Sequence, residues 1–353
     1  MLFYILFIGI VLGLFYIAQY RINSDKSLTK DIVECFGLFI IIAVSIFRFD
    51  VGYDYPTYYE LIDSHNPKDV ERFEPLSTVF IKIAYFFKTP CLIFILFGLP
   101  TYILIFKALK KYSVDFYLSA LIYLFLFYLN SLGSIRQALA ISIVSYAFGY
   151  VKERRTLIFF AFCILASQFH TPAIIGVAIY FLYRFSFLFV LLSLIVISVA
   201  YPIVKSLLSN HAYISEYLQN ITSYSGGDKI RVFYLILFTA LLALTFYRRK
   251  PSLAIDKGLF SIILPGVFLP FLFGGHLGGR IAEYFLIYLA ILIPQVLSLY
   301  QIRWKALCVY ILMLYFFLLL YKTQFVSERS PYIPYQSIFF ADTETPTFRW
   351  TYL

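Results

Sequence analysis

The chain has 353 residues, of which 61% are hydrophobic, 21% aromatic and only 14% charged. A soluble domain carries about 25% charged residues, and a disordered chain is poor in apolar residues, so this composition excludes both classes. The net charge of +10 comes from basic residues dispersed at the ends of apolar segments, so nucleic acid is not expected as a partner. The composition predicts an all-α polytopic integral membrane protein that forms a single transmembrane domain over residues 1–353.

Apolar runs recur along the whole chain and predict about twelve transmembrane segments. The candidate segments are residues 2–20, 32–47, 90–106, 113–131, 135–151, 156–169, 171–183, 186–204, 231–247, 258–273, 280–300 and 305–321. The apolar stretch 75–87 is short and contains Lys82, so it is predicted to be an interfacial or re-entrant helix that begins at Pro75. The two short segments on either side of Pro172 form either two tilted spans or a re-entrant hairpin.

Basic residues set the expected orientation of the chain in the membrane. With the N-terminus outside, short inner connections carry basic residues such as Lys107, Lys152 and Arg248. The longer outer segments are then 48–74, 205–230 and the tail 322–353. The positive-inside rule therefore predicts that both termini lie on the outer side. The short inner loops leave no room for a nucleotide-binding domain, so chemistry is expected at the outer face, with a donor that arrives already activated.

Four ionisable side chains lie near membrane depth on the predicted outer side: Arg48, Arg136, His170 and Arg280. Charged residues there cost about 2.5–3.5 kcal/mol each on insertion scales, so they are candidates for a functional site. Three arginines and a histidine on one face suit a polyanionic ligand, because guanidinium pairs bidentately with phosphate. Arg136 and Arg280 each begin a helix, where a cation opposes the helix dipole and an anionic ligand would compensate.

Each of these residues also has a structural interpretation. The alternatives are an Arg280–Glu283 ion pair, anchoring of Arg136 to lipid phosphate, an ion pair of Arg48 with Asp50 or Asp54, and a structural His170. Aromatic residues in the outer loops, Tyr55 and Tyr58 among them, form either a sugar-binding surface or an interfacial belt. No carboxylates, histidines or cysteines have the spacing of metal ligands, so no metal and no cofactor are expected.

Short motifs occur in order along nearly the whole chain. They are Arg48-x-x-x-Gly52-x-Asp54-Tyr55-x-x-Tyr58, Glu74-Pro75, Ile135-Arg136-Gln137-Ala138-Leu139-Ala140, Ala166-Ser167-x-Phe169-His170, Arg280-x-x-x-Tyr284-Phe285 and Tyr332-x-Pro334-Tyr335. As an ordered set on one membrane face, they resemble the EpsG-like branch of the Wzy-type bacterial polysaccharide polymerases. The second outer loop, 205–230, contains no matching motif.

The resemblance implies a glycosyltransferase in the bacterial cytoplasmic (inner) membrane that serves exopolysaccharide or lipopolysaccharide O-antigen synthesis. Such a polymerase transfers a growing glycan from undecaprenyl pyrophosphate to the non-reducing end of a lipid-linked oligosaccharide repeat on the outer face. Its expected partners are the undecaprenyl-pyrophosphate-linked donor and acceptor and the lipid bilayer. A chain-length regulator and a flippase are further candidate partners.

The resemblance also suggests roles for individual residues. Arg136 and Arg280, with Arg48 as a further candidate, are expected to bind the pyrophosphate and stabilise its leaving charge. His170 or Asp54 is expected to take the proton of the attacking hydroxyl, in a direct displacement that inverts the anomeric centre. The expected catalytic residues are His170, Asp54, Arg136 and Arg280. The expected substrate-binding and pyrophosphate-binding residues are Arg48, Gln137, Tyr284, His276, Tyr55 and Tyr58.

Two other functions would use similar residues. A flippase for lipid-linked repeats would also have about a dozen spans and buried arginines, but it should show an internal repeat and polar residues in both leaflets. Here the unusual charges cluster on one predicted face. An O-antigen ligase-like glycosyltransferase would use the same donor and differ only in its acceptor, so the sequence separates it poorly from a polymerase.

Overall fold

Helices make up most of the chain, because backbone polar groups in an apolar environment must satisfy one another. The computed structural model describes residues 2–22, 27–63, 70, 72–208, 228–247, 255–273, 278–300, 306–307, 309–315, 317–318, 331–341 and 346. The helices in its first half are α1 (Leu2–Tyr20), α2 (Ser27–Ile46), α3 (Tyr55–Asp63), α4 (Pro75–Phe86), α5 (Pro90–Tyr112), α6 (Phe116–Leu126), α7 (Tyr128–Gly133), α8 (Ile135–Tyr146) and α9 (Phe148–Lys152).

The second half of the chain continues the helical bundle. Its helices are α10 (Thr156–Ser167), a 3-10 helix (Thr171–Gly176), α11 (Val177–Leu182), α12 (Phe187–Leu208), α13 (Asp228–Tyr247), α14 (Lys257–Phe273), α15 (Gly279–Leu286) and α16 (Leu289–Ser298). Residues 309–315 are also helical. In the described part of the chain, the strands are β1 (Arg48–Phe49) and β2 (Gln336–Ser337), which form an antiparallel pair.

Two of the described helices, α1 and α5, are long and apolar enough to cross a membrane. The helices α15 and α16 meet at 43° and count as a third span if they are taken together. Further apolar helices of 10–17 residues occur along the chain. The protein is therefore all-helical with two or three long apolar spans and several shorter apolar helices. The sequence predicts about twelve full segments, which is more than these two or three long spans. The segments predicted at 113–131 and 135–151 are each divided into two helices, near Phe127 and near Ala147.

The helix α4 begins and ends at the same end of the bundle. Pro75 occupies its first turn, which confirms the predicted helix start. The backbone amides of this turn donate to the carbonyl oxygen of Gln168, at 3.0 and 3.4 Å. At the other end of α4 the chain turns into α5, where the Cys91 thiol lies 3.4 Å from the carbonyl oxygen of Ile46. Both neighbours lie close to the polar cluster described below, so both ends of α4 lie at this end of the bundle.

The segments around Pro172 form a hairpin. The helix α10 has 12 residues, and the 3-10 helix and α11 together return over a similar length. A guanidinium nitrogen of Arg184, just after the hairpin, donates to the carbonyl oxygen of Val151, just before it, at 2.8 Å. The first arm spans about 18 Å and the second about 21 Å, against about 30 Å for a hydrocarbon core. Both arms are therefore shorter than a full span, and the break between them lies at the end of the bundle that holds Glu74 and Arg136.

The described part of the C-terminal tail lies along the first loop. Strand β2 pairs with β1, so that Arg48 faces Ser337. The Tyr4 hydroxyl donates to the carbonyl oxygen of Tyr332 at 3.0 Å, and the Tyr335 hydroxyl donates to that of Val44 at 2.9 Å. The start of α1, the end of α2 and residues 331–341 therefore lie at one end of the bundle.

Several basic residues predicted for the inner loops lie at the opposite end of the helices. Lys110, in the last turn of α5, pairs with Asp31 at 3.0 Å. Lys152, at the end of α9, pairs with Asp256 at 2.9 Å. Such partly exposed pairs add little stability. Because α5 begins beside Ile46 and α8 beside Asp54, Lys110 and Lys152 lie at the end of the bundle remote from Arg48.

Candidate functional site

The first loop makes a tight turn against the junction of α7 and α8. Its backbone takes positive φ at Asp50 and Gly52. At Gly52, with φ of 104°, a β-carbon would lie 2.3 Å from the carbonyl oxygen of Leu132. Only glycine fits this position, because it alone combines that backbone conformation with so close an approach. The spacing of Arg48 and Gly52 in the sequence motif thus follows from the shape of this turn.

The same loop caps the amino end of α8. The Asp54 amide donates to the carbonyl oxygen of Gly133 at 3.1 Å, and Asp54 Oδ2 accepts a hydrogen bond from the amide of Ile135 at 3.1 Å. Burial raises the pKa of Asp54, and the charges of Arg136 and Arg280 oppose that rise. Asp54 therefore holds the start of the helix that carries Arg136, and both candidate arginines lie within electrostatic reach of its carboxylate.

Arg48 is buried, with 1% of its surface exposed. Its guanidinium donates to the carbonyl oxygens of Ser45 at 2.6 Å, Val51 at 2.9 Å and Leu132 at 3.2 Å. One face of the guanidinium lies over the Phe94 ring, 4.3 Å from its centre. These contacts close the carboxyl end of α2 and tie it to α7. They favour a structural role for Arg48 over contact with a ligand, but this role is carried by backbone carbonyl oxygens and not by the expected ion pair with Asp50 or Asp54.

Replacing Arg48 with Met is expected to lower the free energy of unfolding by about 3 kcal/mol or more. The substitution leaves buried carbonyl oxygens without donors, at about 1–3 kcal/mol each. The melting temperature of the purified protein in detergent measures this effect, and Arg155→Met, at a 60% exposed side chain, provides the control. A melting temperature equal to that of the wild type would contradict the structural role.

Arg136 and Glu74 form an ion pair at the start of α8. The guanidinium lies 4.8 Å from the centre of the Phe73 ring and within electrostatic reach of the Tyr58 hydroxyl. Its Nε is buried and has no hydrogen-bond partner among the described residues. A buried donor without a partner is costly. A hydrogen bond from this N–H to an anion bound beside Arg136 would remove that cost.

Glu74 connects Arg136 to the tip of the hairpin. Its Oε1 accepts a hydrogen bond from the Thr171 amide at 3.0 Å and a longer one from the Thr171 hydroxyl at 3.4 Å. Burial alone would raise the pKa of Glu74, but the Thr171 amide and the Arg136 guanidinium outweigh it and lower the pKa. Glu74 is therefore ionised near neutral pH and fixes the break between α10 and the 3-10 helix beside α8.

His170 lies at this break and is buried. Its Nδ1 is 2.9 Å from the hydroxyl of Tyr284 on α15, and the two rings stack with their centres 6.3 Å apart. Burial lowers the pKa of His170 to about 4, while Glu74 raises it and the charges of Arg136 and Arg280 lower it further. His170 is therefore neutral near pH 7.

Acidification is expected to destabilise the protein through His170. Its pKa of about 4 in the folded state lies below the ordinary value of 6.5, so the unfolded state binds more protons between these values. The contribution of His170 to stability is then full above about pH 6.5 and is lost as the pH falls toward 4. Melting temperatures across this range should fall more steeply for the wild type than for His170→Asn. Parallel curves for the two proteins would exclude this linkage.

Gln137 and Glu283 join α8 to α15. Gln137 Nε2 donates to Glu283 Oε2 at 2.7 Å and to the carbonyl oxygen of Arg280 at 3.0 Å. Asn130 Nδ2 donates to the other carboxylate oxygen, Oε1, at 2.8 Å. The carboxylate of Glu283 is thus held by two neutral amides. Arg280 is exposed, and its guanidinium has no ion-pair partner within the described ranges.

The structure gathers most of the predicted site residues at one place and separates a few of them. Six of the predicted residues lie at one end of the bundle, where Glu74 pairs with Arg136 and Glu283 accepts a hydrogen bond from Gln137. These six residues are Asp54, Arg136, Gln137, His170, Arg280 and Tyr284. The Tyr55 ring is buried and stacks on Phe94, 4.8 Å between centres, and Tyr58 packs among Phe73, Phe94 and Phe97. The faces of both tyrosine rings are therefore covered by protein. His276 and residues 209–227 of the second outer loop lie outside the described residues.

Two contacts of this site were not predicted from the sequence. The ion pair of Glu74 joins residues 62 positions apart, and the motif Glu74-Pro75 signalled only a helix start. Glu283 was considered as a partner of Arg280 alone, although its actual donors come from α7 and α8. The sequence signal for the contact of Glu283 is Gln137 itself, which lies next to Arg136. The side-chain amide of Gln137 needs a hydrogen-bond acceptor when it is buried.

Fold and site together define an all-helical protein with apolar spans and a polar cluster of arginines, carboxylates and a histidine at one end. The EpsG family model matches residues 31–337, a range that includes every residue of this cluster. The chain belongs to the EpsG family, which is associated with exopolysaccharide biosynthesis. Neither a search of curated proteins nor a search of solved structures returned a match.

Proposed function

We propose that this protein is a glycosyltransferase that polymerises lipid-linked oligosaccharide repeats. It transfers the growing glycan from undecaprenyl pyrophosphate to the non-reducing end of a new lipid-linked repeat. The observation that carries the proposal is the pair of cations at one end of the bundle, Arg136 with its unpartnered Nε and the exposed Arg280. Membership of the EpsG family supports the same reading.

In the proposed reaction, Arg136 and Arg280 bind the donor pyrophosphate. Both arginines influence the ionisation of Asp54 and His170, so both positive charges act on the same region of the site. As the bond between the anomeric carbon and the pyrophosphate breaks, negative charge grows on the leaving oxygen. Cations already in place stabilise that charge without reorganisation, and each such group contributes about 100- to 1000-fold in rate.

The acceptor hydroxyl attacks the anomeric carbon from the side opposite the leaving group, which inverts the configuration. For its proton, the sequence pointed to His170 or Asp54. Each has a fixed partner in the structure: His170 Nδ1 meets the Tyr284 hydroxyl, and Asp54 caps α8. His170 retains its second ring nitrogen, and Asp54 its second carboxylate oxygen, for a proton.

The proposed orientation places the polar cluster at the outer face of the cytoplasmic (inner) membrane. About twelve segments, some of them short or broken, would then cross or enter the bilayer, with both termini outside. Lys110 and Lys152 lie at the opposite end of the helices, where the positive-inside rule favours the cytoplasm. Donor and acceptor would reach the site from the lipid and from the outer aqueous phase.

The two rival functions remain distinct in what they require. A flippase moves its substrate across the midplane and needs polar residues there, whereas the cluster around Arg136 lies at the end of α8. An O-antigen ligase-like enzyme would use the same donor but another acceptor. A chain-length regulator and a flippase would be partners of the polymerase rather than activities of this chain.

The test is an extension assay with purified protein in detergent, a synthetic undecaprenyl-pyrophosphate-linked repeat unit, and EDTA. A ladder of products at multiples of the repeat supports a polymerase that needs no added metal. Transfer to a different glycolipid acceptor without a ladder would support the ligase. Movement of the lipid-linked repeat across liposomes, with no covalent product in either assay, would support the flippase.

A further inference from the structure

A narrow cavity opens beside Glu283, within one helical turn of Arg280. Its polar lining consists of Tyr123, Asn130, Ser131, Ser134, Ser142 and Glu283, and the remaining walls are apolar side chains. The cavity is small, with room for a group about the size of one water molecule. A hydroxyl group fits such a space, whereas a whole sugar ring has to remain at its mouth.

The cavity follows from the way α7, α8 and α15 meet. Ser134 and Ser142 are separated by about two turns on the same side of α8, so both reach the same groove. Glu283 closes the groove from α15. Its carboxylate is oriented by the amides of Asn130 and Gln137, at 2.8 and 2.7 Å. Because Gln137 also donates to the carbonyl oxygen of Arg280, the same amide fixes Glu283 relative to the start of α15.

Glu283 differs from the other carboxylates of the site in its partners. The negative charge of Glu74 is compensated by the Arg136 guanidinium, and Asp54 accepts a hydrogen bond from the backbone at the start of α8. The hydrogen bonds that the described residues donate to Glu283 come from neutral amides, and the charge of Arg280 acts on it without forming an ion pair. A carboxylate without a bound cation keeps more of its basicity, and each of its oxygens retains a lone pair for a further hydrogen bond.

We propose that this cavity receives the attacking hydroxyl of the acceptor sugar and that Glu283, rather than His170 or Asp54, takes its proton. This inference rests on the proposed function. In the step, the acceptor oxygen forms a bond to the anomeric carbon of the donor while the bond from that carbon to the pyrophosphate oxygen breaks. The electron pair of the broken bond leaves with undecaprenyl pyrophosphate beside Arg280, and the hydroxyl proton moves to the Glu283 carboxylate.

The arrangement places the base, Glu283, and a cation that contacts the pyrophosphate, Arg280, on the same helix. Arg280 and Glu283 lie three residues apart on α15, so they emerge from the same side of the helix. An acceptor hydroxyl beside Glu283 is then within reach of a donor whose pyrophosphate contacts Arg280. Asn130 lines the cavity and is exposed, so it can also hydrogen-bond to the rest of the sugar ring.

The test compares Glu283→Gln with the wild type in two measurements. The first is the rate of repeat addition, and the second is the affinity for a fluorescent undecaprenyl-pyrophosphate-linked repeat. Glu283→Gln is expected to extend chains about 100- to 10,000-fold more slowly with donor affinity within a factor of three of the wild type. Glu283→Asp, which keeps the carboxylate, should recover part of the rate. Glu153→Gln, at an exposed residue of the opposite end, is the control.

The outcomes separate the inference from the function on which it rests. A ladder from the wild type and a comparable ladder from Glu283→Gln would overturn the role of Glu283 while leaving the polymerase in place. No ladder from the wild type with its cognate repeat would overturn both. A loss of donor affinity in folded Glu283→Gln and Glu283→Asp equal to the loss of rate would also overturn it, because the residue would then serve binding rather than proton transfer.

Discussion

Replacing Arg280 with Ala is expected to slow chain extension by about 100- to 1000-fold while leaving the abundance and melting temperature of the protein unchanged. The side chain is exposed and has no ion-pair partner in the described part of the chain, so its removal costs the fold little. In the reaction, however, its positive charge acts where negative charge develops on the leaving pyrophosphate. The measurement is the initial rate of repeat addition per mole of folded protein.

Two further variants sharpen this prediction. Arg280→Lys keeps the charge but loses the bidentate geometry, so its rate should lie between those of the wild type and Arg280→Ala. Arg155→Ala removes another exposed arginine, from the opposite end of the helices, and should extend chains normally. If Arg280→Ala kept a rate within about threefold of the wild type, Arg280 would have no role in binding the pyrophosphate.

Proline residues predicted one helix start and one helix interruption correctly. Pro75 occupies the first turn of α4 because a helix start has no use for the missing N–H. The hairpin breaks at His170, whose backbone is extended, and Pro172 lies in the first turn of the 3-10 helix that follows, where its missing N–H costs no hydrogen bond. Each of these features depends on one proline and its immediate neighbours in the sequence, so it can be predicted without knowledge of the fold.

The number of full spans was harder to predict. Apolar runs give the composition of a segment, but they do not show where its helix breaks. The helix that follows Asp115 ends at Leu126, and a new one begins at Tyr128. Both pieces are apolar, so hydropathy alone joined them into one segment. Packing against other helices decides such breaks, and packing is a property of the whole fold.

The roles of the arginines depended on long-range contacts for the same reason. Arg48, Arg136 and Arg280 look alike in sequence, each at the end of an apolar segment. In the structure, Arg48 is surrounded by carbonyl oxygens, Arg136 pairs with Glu74 and Arg280 is exposed. The acceptors of Arg48 include Leu132, 84 residues away. Only the fold determines which of the three cations can contact a ligand.

Replacing Arg136 with Ala is expected to have two separable effects. Chain extension should fall by about 100- to 1000-fold, because a cation is lost beside the donor pyrophosphate. Stability should fall as well, by about 1–3 kcal/mol, since the Glu74 side chain is only 14% exposed and loses its ion-pair partner. The rate of repeat addition and the melting temperature report these effects independently.

A second substitution distinguishes the two effects. Glu74→Gln removes the charge that Arg136→Ala leaves uncompensated and keeps an oxygen that can accept the Thr171 amide hydrogen bond. The double variant should therefore regain most of the melting temperature of the wild type, since a neutral amide costs less to bury than an unpaired carboxylate. Its rate of extension should remain as low as that of Arg136→Ala, because no cation has been restored. If the rate recovered together with the melting temperature, Arg136 would act only by holding Glu74 and the hairpin in place, and the pyrophosphate would be bound through Arg280 alone.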